Sequence, residues 1–277
     1  MRFGGFIFKK WNTPEEWAQA AIDAGYSAVY FPVDHTAPQS VIDGYKNAAA
    51  ENDLVICEIG VWNNTLDRDA AKREANITRA IHQLELADYV GANCCVNIAG
   101  SYSTQWDGPH KDNFTKRAFE EIVTTTQRII DAVNPKNTAY SLEPMPWMYP
   151  DTADSYVELI KAIDRKGFAA HLDPVNIICS PQLYYKNGEV IEEWFQKLGT
   201  QIKSCHAKDI RLSGKLTVHL DECRPGLGEL DYETYLRCMA KLDDRACMML
   251  EHMTEEIDYI EATKHIKALA KKLDIKL

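Results

Sequence analysis

Apolar residues fall in short runs along this chain, and between the runs they recur at helical spacing. Residues 2–8 read as a first strand. Thr13-Pro14-Glu15-Glu16 then supplies an N-cap threonine, a proline at the first helical position and a glutamate at the third, opening a helix that stops at Gly25. Strands follow at residues 26–33, 54–62 and 92–99, succeeded by helices at 38–52, 67–89 and 113–133. The second half repeats the alternation. Its strands are 138–147, 168–177, 202–210 and 246–253, and its helices are 151–164, within 181–198, from Asp231 onward, and within 254–273.

Continuously apolar strands that alternate with helices imply a parallel sheet covered on its outer face. Eight such pairs in 277 residues, with no linker and no low-complexity segment, favour one closed (β/α)₈ barrel, a single α/β domain over residues 1–277. No GxGxxG follows the first strand, which argues against an open sheet that binds a dinucleotide.

Composition narrows the function classes. The formal net charge is −10 and no dense Lys/Arg cluster interrupts it, so a nucleic-acid partner is not expected. No stretch of about 18 uncharged apolar residues is present, and none is expected to span a membrane. The apolar run at Phe3–Phe8 is short for a signal peptide and lacks a small-residue cleavage site. Eight cysteines are scattered without a CxxC pair, several inside apolar strands, as in a reduced protein. These features predict a cytoplasmic location.

The informative chemistry lies at the ends of strands five to eight. Ser141-Leu142-Glu143-Pro144, His171-Leu172-Asp173-Pro174, Cys205-His206-Ala207-Lys208 and Leu250-Glu251-His252 each put a potential metal ligand where an apolar run stops. Glu143, Asp173, His206 and Glu251 are separated by 30, 33 and 45 residues, about one βα unit each. Chemistry in such barrels sits at the C-terminal strand ends, so adjacent tips can share one ion. A lone carboxylate at a strand end is usually solvated, but four ligands in succession are harder to produce by chance. Three carboxylates and one imidazole suit a hard divalent cation: Mn²⁺ first, with Mg²⁺, Co²⁺ or Zn²⁺ as alternatives.

These segments, with Pro174-Val175-Asn176, Lys208-Asp209 and Gly226-Leu227-Gly228-Glu229-Leu230-Asp231-Tyr232, resemble the xylose-isomerase-like barrels. That group includes sugar epimerases, inosose dehydratases, hydroxypyruvate isomerases and endonuclease IV. The resemblance implies that Glu143, Asp173, His206 and Glu251 bind one divalent ion and that Glu143 and Glu251 move protons. It further implies a sugar or keto-sugar isomerase or epimerase working through an enediolate. A lyase of the same group, acting by β-elimination on keto-sugar glycosides or inososes, is the alternative. A nuclease of the endonuclease IV type needs more histidines and a basic groove, which this chain lacks. Family members often pair, so a homo-oligomer is an expectation.

Further candidates for a carbohydrate site are His171, Asn176, Lys208, Trp147, Glu58, Asn97 and Arg224. Strand alternation points His171 inward, either onto the substrate or into a layer below. Lys208 shares the phase of His206. Asn176 follows Asp173 by three residues. Trp147, Trp62 and Trp11 near strand exits are candidates for an apolar wall. Glu58 and Asn97 are candidates for hydroxyl contacts, and Arg224 for an anionic group. The Gly226/Gly228 pair reads as a turn into a helix capped by Asp231.

Overall fold

The computed structural model describes residues 1–277. Its strands are β1 (Arg2–Gly4), β2 (Ala28–Tyr30), β3 (Val55–Gly60), β4 (Cys94–Asn97), β5 (Tyr140–Leu142), β6 (Phe168–Leu172), β7 (Ile202–Ala207), β8 (Asp209–Ser213), β9 (His219–Cys223) and β10 (Cys247–Leu250). Eight of them close a barrel in the order β1-β10-β7-β6-β5-β4-β3-β2. Every pairing in it is parallel, and closure comes from Arg2, Phe3 and Gly4 of β1 against Cys247, Met248 and Met249 of β10. The expected (β/α)₈ barrel is the fold.

β8 and β9 stand apart as an antiparallel hairpin inserted after β7. The apolar pattern predicts a seventh strand that continues to residue 210. The strand stops at Ala207, and Asp209 opens the hairpin instead. Asp209 uses both carboxylate oxygens on backbone amides, those of Ile210, Gly226, Gly228 and Leu230. Gly228 permits this, because a Cβ there would strike Asp209 and the Ile210 carbonyl.

The sixth strand is also shorter than expected. Asp173 ends it: Oδ1 accepts from the amides of Val175 (3.0 Å) and Asn176 (3.4 Å), capping the short helix α6 (Pro174–Ile177). One carboxylate oxygen is thereby fixed to backbone, which aims the other inward.

The outer helices are α1 (Pro14–Asp23), α2 (Gln39–Glu51), α3 (Ala70–Val90), α4 (Lys116–Val133), α5 (Ala153–Ile163), α8 (Asn187–Leu198), α9 (Tyr232–Met239) and α10 (Glu256–Lys272), with a further short turn α7 (Pro181–Tyr184). Thr13 caps α1 as expected, but Glu16 reaches back to the amide of Asn12 rather than that of Thr13. A reciprocal capping box occurs on α5, between Thr152 and Ser155. No helix is long and apolar enough to cross a membrane.

Three tyrosines on these helices hold the strand ends in place. From α5, the Tyr156 hydroxyl donates to the Leu142 carbonyl (2.6 Å) and accepts from the His171 amide (3.2 Å), tying β5 to β6. From α9, Tyr235 donates to the His206 carbonyl (2.8 Å) and Tyr232 to that of Lys208 (2.7 Å). Tyr156 is fully buried, so water cannot replace its hydroxyl. Tyr156→Phe is therefore expected to lower unfolding free energy by about 1–3 kcal/mol. Urea denaturation measures this, and an unchanged midpoint would show that the hydroxyl is not a structural tie.

Candidate metal centre and active site

Each candidate ligand is delivered where a strand ends: Glu143 after β5, Asp173 after β6, His206 near the end of β7, and Glu251 after β10. In barrel order these strands are consecutive neighbours. Their donor atoms lie within 4.8 Å of one another. From His206 Nδ1 the distances are 3.0 Å to Glu251 Oε2, 3.4 Å to Glu143 Oε1 and 3.6 Å to Asp173 Oδ2. Donors about 2.1 Å from a shared cation stand roughly 3.0–3.4 Å apart, so the spacing fits one.

A second observation points the same way. His206 Nδ1, Asp173 Oδ2 and Glu251 Oε2 are all buried without a hydrogen-bond partner. Unpartnered buried polar atoms are costly, and three facing one point form a donor set suited to a cation. Lys208 Nζ sits 2.7 Å from Asp173 Oδ2 and 3.2 Å from both Glu251 Oε2 and Glu222 Oε1. The Asp173 contact is a close charge pair without hydrogen-bond alignment, so that oxygen keeps a lone pair free.

Below this ring lies a buried carboxylate–imidazole pair. His206 Nε2 is 3.3 Å from Glu58 Oε2, and His171 Nδ1 is 3.5 Å from Glu58 Oε1 and 2.5 Å from Ser204 Oγ. A carboxylate behind a histidine fixes which ring nitrogen faces forward, here leaving Nδ1 toward the other three ligands.

The fields in this cluster are strong. Burial pushes the Glu143 carboxyl up to about 7, against the pull of His206. Burial would also raise Glu251, but His206 and Lys208 outweigh it and hold that group well below the usual carboxylate range. Burial alone would favour the neutral forms of Lys208 and His206. Asp173 and Glu251 outweigh it at Lys208, and Glu251 and Glu58 at His206, so both are raised. Burial lowers His171 to about 4, so this ring is neutral.

Above the ligands opens a cavity of about 490 Å³. Of the expected substrate contacts, Trp147 and Asn176 line it. Trp147 is pinned by its indole N–H to the Asp107 carbonyl (2.6 Å), and Asn176 Nδ2 donates to Glu143 Oε1 (2.8 Å). Trp62 lines it too, whereas Trp11 bonds Tyr45 on the outer wall. Lys208 belongs to the ligand cluster.

The other expected contacts lie elsewhere, each for a local reason. Glu58 and His171 occupy the layer below, because β3 and β6 point them into the barrel before their strands end. Asn97 is fully buried, with its amide shared between Asn63 and Tyr140. Arg224 does not line the cavity; its part-buried side chain faces Asp258 of α10 at 3.3 Å. Trp106, Asp107, Glu222 and His252, none of them among the sequence expectations, line the cavity as well. Glu222 comes from β9, and the alternating Ile210, Leu212 and Leu220 around Gly214 are the signal for that hairpin. His252 and Trp62 hold positive φ values of 59° and 47°, a conformation sequence patterns do not reveal.

Comparison with known proteins places this geometry. Residues 18–273 match the family described as xylose isomerase-like TIM barrel. The chain belongs to that family. No curated protein matches its sequence. Among solved structures, this xylose isomerase-like barrel is similar to the probable 3-DHS dehydratase AsbF of Bacillus anthracis, with 17% identity, 97% of this chain and 98% of that one covered, and a TM-score of 0.71. It is similar to a D-psicose 3-epimerase of Clostridium cellulolyticum, with 13% identity, 100% of both chains covered and a TM-score of 0.71. Endonuclease IV of Thermus thermophilus gives 13% identity, coverage of 98% of this chain and 100% of that one, and a TM-score of 0.71. At these identities the likeness is one of fold.

Proposed function

We propose that this chain is a divalent-metal-dependent isomerase or epimerase of a sugar or keto-sugar, with Glu143 and Glu251 as its acid–base pair. The observation that carries the reading is the meeting of Glu143, Asp173, His206 and Glu251, three of them with unpartnered buried atoms, at the floor of an aromatic-walled cavity. These four residues would hold the ion, with Mn²⁺ preferred for a set of three carboxylates and one imidazole. A divalent cation there supplies Lewis-acid stabilisation of the negative charge left on substrate oxygens when the adjacent carbon loses a proton.

The remaining steps belong to the side chains. β5 and β10 stand three places apart in the barrel order, so Glu143 and Glu251 approach the cavity from different sides. A proton taken from one face of a carbon and returned to the other inverts it; returned to the neighbouring carbon, it exchanges aldose and ketose. Asn176 Nδ2 donates to Glu143 Oε1 and limits that carboxylate to a narrow range of positions, while Lys208 Nζ stands 3.2 Å from Glu251 Oε2 as a neighbouring charge. The Trp62 and Trp147 rings offer flat apolar faces against which a sugar can lie.

The cavity weighs against a phosphodiester substrate. It is lined by Asp107, Glu143, Glu222 and Glu251 and by no lysine or arginine, the reverse of a surface that collects phosphates.

The test is solvent exchange. The manganese-loaded protein is incubated in D₂O with a panel of ketoses and keto-sugars and followed by NMR. Deuterium on the carbon next to the carbonyl, together with a new stereoisomer or an aldose, is the expected result. Loss of water or of an aglycone in the same tubes would move the assignment to a lyase, and absence of exchange across the panel would overturn it.

A further inference from the structure

We infer that the end of the barrel opposite the candidate metal centre carries a second binding site, for a small anion bearing several linked phosphates. The candidate metal ligands sit at the C-terminal ends of their strands. The second site is built from the other ends, by the segments that precede or open β4, β5, β6, β7 and β10. Together with α2 and the last turn of α3 they surround a cavity of about 880 Å³. That lies within the size range of small-molecule sites and exceeds the cavity of about 490 Å³ above the ligands.

Charge sets this cavity apart from the rest of the molecule. The chain carries a net charge of −10, yet Lys46, Lys136, Lys166, Lys203 and Arg245 line this one space against two carboxylates. Sequence spacing hides the cluster, because its members run from position 46 to position 245 and meet only on folding. Both carboxylates are engaged by backbone. Asp88 Oδ1 accepts from the amides of Lys136 and Asn137, each at 2.6 Å, and Asp243 Oδ1 from that of Arg245 at 2.8 Å. None of the five cations is in an ion pair. Lys46 Nζ donates to the Tyr89 carbonyl (2.8 Å), Lys136 Nζ to Asn134 Oδ1 (3.0 Å) and Lys203 Nζ to the Thr200 carbonyl (3.2 Å). Neutral oxygens thus orient three ammonium groups, each with further N–H donors to offer an incoming anion. A lysine near a helix C-terminus is ordinary, since it offsets about half a unit of negative charge. What marks this place is that five cations border one concavity.

The floor beneath them is apolar and braced. Ala139, Ile202 and Ala246 are buried there. Asn93 Nδ2 donates to the Arg245 carbonyl (2.5 Å), which ties the approach to β4 to that of β10, its opposite number in the barrel order. Apolar walls under a ring of one sign focus the field into the cavity. Four of the five cations are lysines, point charges that suit phosphate oxygens, whereas planar carboxylates are better met by guanidinium forks. Five charges spread around so wide a mouth match a chain of phosphates better than a single one.

Calorimetry in about 0.1 M salt, where charges more than about 10 Å apart are largely screened, provides the test. The intact protein, in buffer free of the divalent ions that phosphates sequester, is titrated with tripolyphosphate, ATP, AMP and adenosine. Tripolyphosphate and ATP are expected to bind about tenfold or more tighter than AMP, and adenosine to give no binding heat. An ATP affinity well above that of tripolyphosphate would identify a nucleotide as the source, and equal affinities a free polyphosphate; either supports the site. Lys136→Glu with Lys166→Glu changes two exposed side chains and is expected to weaken tripolyphosphate binding by about tenfold. Lys72→Glu with Lys111→Glu makes the same change of total charge on exposed positions that follow β3 and β4, and is expected to shift it less than about twofold. Asp173→Asn, at the other end of the barrel, is expected to leave it unchanged. Absence of binding, AMP binding as tightly as tripolyphosphate, equal losses in the two charge-reversed pairs, or a loss confined to Asp173→Asn would overturn the inference.

Discussion

Glu251→Gln is expected to lower solvent deuterium exchange by about 10²–10⁴-fold, the usual contribution of a positioned general base. The substitution preserves shape and leaves one amide oxygen facing His206 Nδ1, from which Glu251 Oε2 stands 3.0 Å. It removes the carboxylate that His206 and Lys208 keep ionised. The barrel should survive, because Glu251 lies beyond the last residue of β10 and is still partly solvent-accessible. Exchange and metal content are measured on the same sample, which separates loss of the base from loss of the ion. Full exchange in a variant that retains its metal would remove Glu251 from the proton path, leaving Glu143 alone with no partner across the cavity.

His206→Ala is expected to produce the largest loss of stability. His206 is completely buried and faces Glu58 with one ring nitrogen and Glu143, Asp173 and Glu251 with the other. Without it, Glu58 keeps only the neutral His171 as a neighbouring ring. Removing one partner from a buried charge pair costs about 3–5 kcal/mol, to which the emptied volume adds. Calorimetry should show the transition falling on the order of 10 °C for a chain of this size. A fall of less than about 3 °C would mean that the carboxylates tolerate one another without the imidazole, contrary to the electrostatics described above.

The barrel was legible because its signals are redundant. Each strand reads as an apolar run, each helix as an amphipathic one, and an error at one boundary leaves the alternation intact. The convergence of the candidate ligands was legible for a related reason: Glu143, Asp173 and Glu251 directly follow apolar strands, where an ionisable residue stands out. Less could be read of what depends on distant partners. Glu58 and Asn97 look like hydroxyl contacts in sequence, but their side chains are engaged by His206, His171, Asn63 and Tyr140 from other strands and loops. Arg224 follows a hairpin whose return strand sets it beside Asp258 rather than in the cavity. The rim was the least legible part. Glu222 and His252 belong to no common sequence pattern and meet only because the β8–β9 hairpin brings Glu222 back beside the end of β10.

The most direct measurement is metal stoichiometry. Protein stripped with chelator, reloaded with Mn²⁺ and analysed by mass spectrometry of its metal content should hold one ion per chain, and Asp173→Asn should hold far less while remaining folded. A stripped and reloaded protein that takes up no divalent ion, or an Asp173→Asn variant that binds it as well, would contradict the account.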